Sequence, residues 1–165
     1  MAENKENLNL EDFLPYRLSV LSNTVSRGIA DLYAERFGLS IPAWRVMAVL
    51  GRFPGLSANE VAERTAMDKV AVSRAVAQLQ KAKLLVRKSA EEDRRRSILA
   101  LTDKGWSIHA EVAPLALDME RDLLSPLTGE EREMLDVLIT KLTECARTLS
   151  PGQSEEAKKD YGAVL

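Results

Sequence analysis

A short segment in the middle of the chain carries side chains able to pair with phosphate and with base edges. Residues 69–96 contain nine Lys or Arg and three acids, a local charge of +6, whereas the rest of the chain sums to −8. Arginine pairs bidentately with phosphate and with the O6 and N7 atoms of guanine. This concentration of positive charge indicates a polyanionic partner, and double-stranded DNA is the expected one.

The helix predicted after Asp68 has two unlike sides when it is projected at about 100° per residue. Its apolar side consists of Val72, Ala75, Val76 and Leu79. The opposite side presents, near the N-terminal end, the reading face formed by Lys69, Val70, Ser73 and Arg74. An arginine there can pair with guanine, a serine with phosphate or base, and a valine with the methyl group of thymine. We therefore expect the reading face to enter the major groove of DNA.

Three consecutive arginines mark the tip of a predicted β-hairpin. Two short stretches rich in β-forming residues, 84–88 and 97–101, enclose the charged residues 89–96. The candidate minor-groove residues in this tip are Asp93, Arg94, Arg95 and Arg96. Asp93 can hydrogen-bond the guanidinium of Arg95 and fix its direction, which accounts for an acid so close to DNA. The hairpin is therefore interpreted as a wing that reaches the minor groove.

Helix-start signals place these residues in a recognisable unit. Ser57 and Glu60 form a capping box that begins a short helix, and Asp68 caps the next helix after a turn of two residues. Ser40, followed by Pro42, begins an earlier helix. A helix-turn-helix followed by a basic hairpin is a winged helix, so residues 40–101 are predicted to form a winged helix-turn-helix DNA-binding domain.

Amphipathic helices flank that domain on both sides. Residues 10–37 carry apolar side chains at three- and four-residue spacing, and two further helices, capped by Thr102 and Thr128, fill residues 102–148. They carry more apolar surface than the winged helix can cover, so residues 10–37 and 102–148 are predicted to form a dimerisation region. The fold class is therefore mainly α with a small β-hairpin wing (α+β). The ends, 1–8 and 151–165, are expected to be flexible tails.

Three stretches, residues 68–74, 84–87 and 93–105, together resemble the MarR family of bacterial transcription regulators. Their order and spacing carry the resemblance, which spans roughly residues 10–148. It implies a homodimer with an interleaved helical dimerisation region and two winged helices bound to a pseudo-palindrome. It also implies a repressor that releases DNA when a small ligand binds.

The resemblance further implies a ligand pocket walled by the first, second and fifth helices. The candidate ligand-binding residues on these helices are Tyr16, Arg17, Trp44, Arg45 and His109. An arginine beside aromatic rings suits an aromatic carboxylate, and residues 13–18 and 41–46 are similar to the branch that answers to aromatic acids or their coenzyme A thioesters. We expect such an effector. For Tyr16, Trp44 and Trp106 taken on their residue types alone, packing in the core or in the dimer is favoured over a ligand site.

Composition excludes several function classes. The 165 residues include one histidine, His109, and one cysteine, Cys145, so an internal disulfide and a Cys/His zinc site within one chain are excluded. A Ser-His triad would have to use His109, which lacks a nearby nucleophile. His109 is interpreted as an ordinary helix residue and Cys145 as a small apolar core residue. We expect no enzymatic activity, no cofactor and no metal.

The chain shows no signal for a membrane or for export. It has no run of the ~18 apolar residues that span a bilayer, and its start is too polar for a secretory signal. We expect a cytoplasmic protein without a membrane partner. An alternative function stays open, namely a winged-helix protein-interaction module without specific DNA binding.

Overall fold

The computed structural model describes residues 8–89 and 97–149. Its elements, in chain order, are α1 (Leu14–Phe37), α2 (Ile41–Arg52), α3 (Ala58–Thr65), α4 (Lys69–Lys81), β1 (Leu85–Ser89), β2 (Ser97–Leu101), α5 (Asp103–Leu124) and α6 (Gly129–Leu149). The predicted fold class, mainly α with a small β-hairpin, is confirmed. The described residues form two compact units, which divide between Met119 and Glu120. None of the helices in the described ranges is long and apolar enough to cross a membrane.

The predicted helix starts of the winged helix are present as hydrogen bonds. The Ser40 hydroxyl accepts from the N–H three residues later at 3.3 Å. The Glu60 carboxylate accepts from the Ser57 N–H at 2.7 Å, and the Ser57 hydroxyl accepts from the Glu60 N–H at 3.4 Å. The Asp68 carboxylate likewise accepts from the Ala71 N–H at 2.7 Å and caps α4. Each cap satisfies an N–H that has no partner within its helix, so local sequence decides where α2, α3 and α4 begin.

The first helix starts later than the sequence pattern predicts. The apolar spacing indicates a start at Leu10, but α1 begins at Leu14, with Pro15 in its first turn. A proline ring clashes with the carbonyl four residues earlier and donates no hydrogen bond, so it is tolerated only at the start of a helix. Residues 9–12 form a turn instead, in which the Asn9 amide donates to the Asp12 carboxylate at 2.6 Å.

The core of the first unit forms around α4 and the hairpin. The predicted apolar side of α4 is buried, with no more than 2% of Val72, Ala75, Val76 or Leu79 exposed. It packs against α2, α3 and β1. β1 and β2 pair antiparallel, with Leu85 opposite Leu101 and Arg87 opposite Leu99. The Leu99 N–H also donates to the Leu56 carbonyl at 2.8 Å, which ties β2 to the segment before α3.

The base of the hairpin is joined directly to the start of α5. The Thr102 hydroxyl donates to the Lys83 carbonyl at 2.8 Å and accepts from the Gly105 N–H at 3.1 Å. A Cβ at Gly105 would overlap the carbonyl oxygen of Leu84, so only glycine allows this approach. Downstream, Pro114 lies inside α5, which continues on both sides of it. The Thr102 contacts fix the wing relative to α5.

The second unit contains α6, whose apolar side is uncovered. The predicted Thr128 cap is present, since the Thr128 hydroxyl accepts from the Glu131 N–H at 3.2 Å, and the Thr128 N–H donates to the Glu131 carboxylate at 2.8 Å. No residue of α6 is buried in the described chain. The prediction that Cys145 is a core residue is therefore wrong for this chain, because the thiol is exposed. The exposed apolar residues beside it on α6 include Met134, Leu135, Leu138 and Leu142.

Candidate nucleic-acid interface

The reading face of α4 is fully accessible. Lys69, Val70, Ser73 and Arg74 are all exposed, with 58% of Val70 accessible. A branched aliphatic side chain this exposed contributes little to packing, which leaves its methyl groups free for a partner. Neither Lys69 nor Arg74 forms an ion pair with a described residue. The predicted separation of a packed side and a free side is therefore present in the structure.

The turn between α3 and α4 holds the reading face at a fixed angle. Ala66 adopts a left-handed backbone, φ 51°, and its N–H donates to the Ala62 carbonyl. The next N–H, of Met67, donates to the same carbonyl at 3.3 Å. A left-handed alanine costs ~1 to 2 kcal/mol, which the packing of the two helices has to offset. The turn is thus specified by tertiary structure and not by a glycine.

The first strand of the wing adds two exposed basic side chains to the interface. Arg87 and Lys88 are exposed on β1, one or two residues before the tip. Both belong to the predicted basic segment without an assigned role, and alternation along the strand does not place them, because it puts consecutive residues on opposite faces of a sheet. The predicted minor-groove residues Asp93, Arg94, Arg95 and Arg96 lie outside the described residues, so their role stays a prediction.

Four aromatic rings form a continuous row across α1, α2 and α5. The ring centroids are 5.8 Å apart between Tyr33 and Trp44, 5.7 Å between Trp44 and His109, and 5.6 Å between His109 and Trp106. The row runs from Tyr33, only 1% exposed, to Trp106, which is 43% exposed. Two of the five candidate ligand residues, Trp44 and His109, are therefore in contact. Tyr33 was missed, although it continues the apolar stripe four residues after Ile29.

His109 sits directly on the backbone of α2. A Cβ at Gly51 would overlap the imidazole Nε2, so the absence of a side chain there makes room for the ring. Burial lowers the pKa of His109 below its ordinary value, which favours the neutral imidazole. Burial also raises the pKa of the Tyr33 hydroxyl, an effect that the charge of Arg45 reduces. The aromatic row is therefore uncharged at neutral pH, and Arg45 supplies a cation beside it.

Of the remaining ligand candidates, Arg45 lies on α2, whereas Tyr16 and Arg17 lie near the start of α1. Arg45 donates to the Ser26 hydroxyl at 3.0 Å, and Tyr16 is ten residues before Ser26, or about 15 Å along the helix axis. Tyr16 and Arg17 line a separate open groove of about 350 Å³. Its other lining residues are Glu11, Val20, Leu21 and Thr24. The structure therefore divides the five candidates into two groups, one on the groove and one beside the aromatic row.

The described residues contain no cluster of three or more side chains suited to hold a metal ion. The five candidate ligand residues supply guanidinium, phenol, indole and imidazole groups, and the groove that Tyr16 and Arg17 line also carries the carboxylate of Glu11. Guanidinium and aromatic groups bind anions and flat rings.

Comparison with known proteins gives consistent matches. The model of the MarR family matches residues 37–96, which include α2, α3, α4 and β1. The HTH-type transcriptional regulator BilQ of Clostridium symbiosum is 30% identical over 108 residues, covering 66% of this chain and 75% of BilQ. A MarR/EmrR family regulator from Acinetobacter sp. ADP1 superposes with a TM-score of 0.79 at 25% identity, covering 86% of this chain and 99% of that one. PcaV from Streptomyces coelicolor, solved with its natural ligand, superposes with a TM-score of 0.71 at 25% identity, covering 88% of this chain and 99% of PcaV.

Proposed function

The chain belongs to the MarR family of DNA-binding transcriptional regulators, and on that basis we propose that it is a ligand-responsive repressor in the cytoplasm. It binds a pseudo-palindromic operator as a homodimer and leaves DNA when an effector binds. The observation that carries this proposal is the accessible reading face on α4, whose opposite side is fully packed. The related proteins are regulators and not enzymes, which confirms the expectation that this chain is not an enzyme.

Two probes on each copy contact the operator. The reading face of α4 enters the major groove, where Arg74 pairs with guanine and Val70 contacts a thymine methyl. The wing reaches the minor groove with Asp93, Arg94, Arg95 and Arg96. Arg87 and Lys88, exposed on β1, contribute phosphate contacts along the stem of the wing. Because α4 and the wing follow one another in the chain, the basic residues of both probes fall within one segment of the sequence.

Exposed apolar surface supports the homodimer. On α1, Leu14, Leu18 and Leu21 are each about half exposed, and α6 buries no residue in the described chain. Soluble monomers rarely leave apolar stripes of this length in water. A second copy of the chain covers them, with two-fold symmetry that matches the pseudo-palindrome. A stable 18.3 kDa species in light scattering at micromolar concentration would contradict this assembly.

The effector is an aromatic carboxylate or its coenzyme A thioester. Both candidate groups combine a guanidinium with aromatic rings. Arg17 lies with Tyr16 on the groove, and Arg45 acts on Tyr33, the first ring of the aromatic row that also contains Trp44 and His109. PcaV, a relative in fold, was solved with its natural ligand. Thermal shift with a panel of aromatic carboxylates, repeated on Arg17→Met and Arg45→Met, tests this choice. The variant that loses the shift identifies the carboxylate site.

DNA binding is tested with the chain's own upstream DNA. Each phosphate that is neutralised adds about −0.9 to the slope of log K against log salt, so a dimer with two basic segments should show a steep slope. A mobility shift that is competed by the specific site but not by random duplex supports the repressor. Absence of any shift, or a slope near zero, favours the protein-interaction module instead.

A further inference from the structure

One side chain of α4 is bonded to the junction between α1 and α2. The Gln78 amide nitrogen donates to the Gly38 carbonyl at 3.2 Å, and the Ser40 hydroxyl donates to the Gln78 amide oxygen at 2.8 Å. Both ends of a single amide are therefore engaged. The partners lie 40 and 38 positions away in sequence, so these bonds are tertiary contacts and not a product of helix geometry.

The junction that Gln78 contacts is itself fixed. Gly38 ends α1 in a left-handed conformation, φ 64°, and its N–H donates to the Ala34 carbonyl at 2.9 Å. Ser40 caps α2, and Leu39 between them is buried. Gln78 is thus attached to the end of one helix and the start of the next, so it links the position of α4 to both α1 and α2.

On α4 itself, Gln78 lies one turn after Arg74, about 6 Å along the helix, on the edge of the outer side. The inner side packs through apolar contacts such as those of Val72 and Val76. Apolar contacts are non-directional and tolerate a small rotation or slide, whereas hydrogen bonds require a narrow range of distance and angle. The Gln78 bonds are therefore suited to fix the rotation of α4 about its own axis.

We propose that Gln78 is a positioning residue that sets the direction of the reading face relative to α1, and through it the half-site spacing that the dimer accepts. The inference rests on the proposed DNA-binding homodimer. In a two-fold dimer any displacement of α4 relative to α1 occurs once in each copy, so its effect on the distance between the two reading faces is doubled. Without the Gln78 bonds, α4 adjusts to operators with altered spacing.

The test compares Gln78→Met with Gln80→Met. Both changes replace a glutamine on α4 by an apolar side chain of similar length, and both positions are exposed, but the Gln80 side chain makes no hydrogen bond to a described residue. The probes are three duplexes with identical half-sites, with the native spacer and with one base pair added or removed. One base pair shifts a half-site by about 3.4 Å and rotates it by about 34°. Affinities are measured by fluorescence anisotropy at constant salt.

We expect wild type and Gln80→Met to bind the native spacing far more tightly than the altered ones. In Gln78→Met the ratio of the Kd for an altered spacer to the Kd for the native spacer should fall roughly tenfold, or ~1.4 kcal/mol. This is comparable with the contribution of one or two hydrogen bonds. The salt slope and the base preference within a half-site should not change. Ser40→Asp, which keeps a capping oxygen but cannot donate to Gln78, should reduce the ratio in the same direction.

Two outcomes would overturn parts of this scheme. An unchanged ratio in Gln78→Met refutes the positioning role. This includes equal weakening on all three duplexes, which is the result expected of a merely structural role that lowers the folded fraction and affects every operator alike. Failure of the wild-type protein to bind any pseudo-palindromic duplex refutes the proposed function itself and is therefore distinguishable from the first outcome.

Discussion

Replacing Arg74 by lysine separates the shape of this side chain from its charge. Lysine keeps one positive charge but lacks the planar fork that pairs with the O6 and N7 atoms of guanine. Arg74 is exposed and forms no ion pair with a described residue. The free energy of unfolding should therefore change by no more than about 0.5 kcal/mol, so any change in DNA binding arises at the interface.

The expected effect is a loss of discrimination at one base pair. A bidentate arginine–guanine pair contributes ~1 to 3 kcal/mol of discrimination, which is roughly 5- to 150-fold in Kd. Wild type should show this difference between the intact operator and one altered at the contacted base pair of one half-site. Arg74→Lys should bind the two with nearly equal affinity, while its salt slope stays at the wild-type value because the charge is kept.

The assay is fluorescence anisotropy against single-base variants of the operator, at constant salt. Arg52→Lys is the matched control: it makes the same change at the end of α2, where Arg52 lies over the Phe53 ring, and it should leave every base preference intact. If Arg74→Lys keeps the full wild-type preference at every position, α4 does not read the major groove through Arg74, and our placement of the reading face is wrong.

Four further predictions concern the wing and the aromatic row. Arg95→Ala should weaken binding to most duplexes and lower the salt slope by ~1 per chain, measured by anisotropy across a range of salt concentrations. Asp93→Ala should also weaken binding if Asp93 directs Arg95. Tighter binding by Asp93→Ala would contradict that role, since loss of an acid alone favours DNA binding. Because burial lowers the pKa of His109 in the folded chain, the unfolded chain takes up a proton at this residue first as the pH falls. The free energy of unfolding should therefore fall as the pH drops below about 6.5. Urea melts of wild type and His109→Gln at pH 7.5 and 5.5 check this, and an equal fall in both proteins would refute it. Gly51→Ala should destabilise the fold by ~1 to 3 kcal/mol through overlap with the His109 imidazole. In urea melts, adding His109→Ala should recover part of that loss. If the double variant instead loses the sum of the two single losses, the two residues are not coupled.

Local signals allowed most of the winged helix to be predicted from sequence. Ser57, Asp68 and Thr128 begin helices because their side chains satisfy N–H groups within three residues, and such bonds depend on nothing distant. The two sides of α4 were predicted for a similar reason, since helix periodicity alone assigns Val72 and Arg74 to opposite sides.

Features that depend on tertiary contacts were not predicted. The start of α1 is a different case, because the apolar pattern continues from Leu10 past Pro15 and obscures a local signal, the proline ring that sets the boundary. The division of the ligand candidates was not visible, because periodicity does not say which turn of α1 meets α2. The contact of His109 with Gly51 and the bonds of Gln78 join residues about 40 to 60 positions apart, and no local pattern encodes them. Cys145 was assigned to a core that the single chain does not provide.

α6 follows the core in sequence, so it is synthesised after the residues that form the core. The buried core residues run from Tyr33 to Val112, whereas α6 begins at Gly129 and buries nothing in the described chain. Synthesis from the N-terminus at about 5 to 20 residues per second therefore completes the core before α6 is available. In the proposed homodimer, folding of the winged helix therefore precedes pairing with a second copy, and newly made chains carry uncovered apolar helices until they meet one. The supply of the proposed dimer then depends on the square of the chain's concentration when that concentration is low.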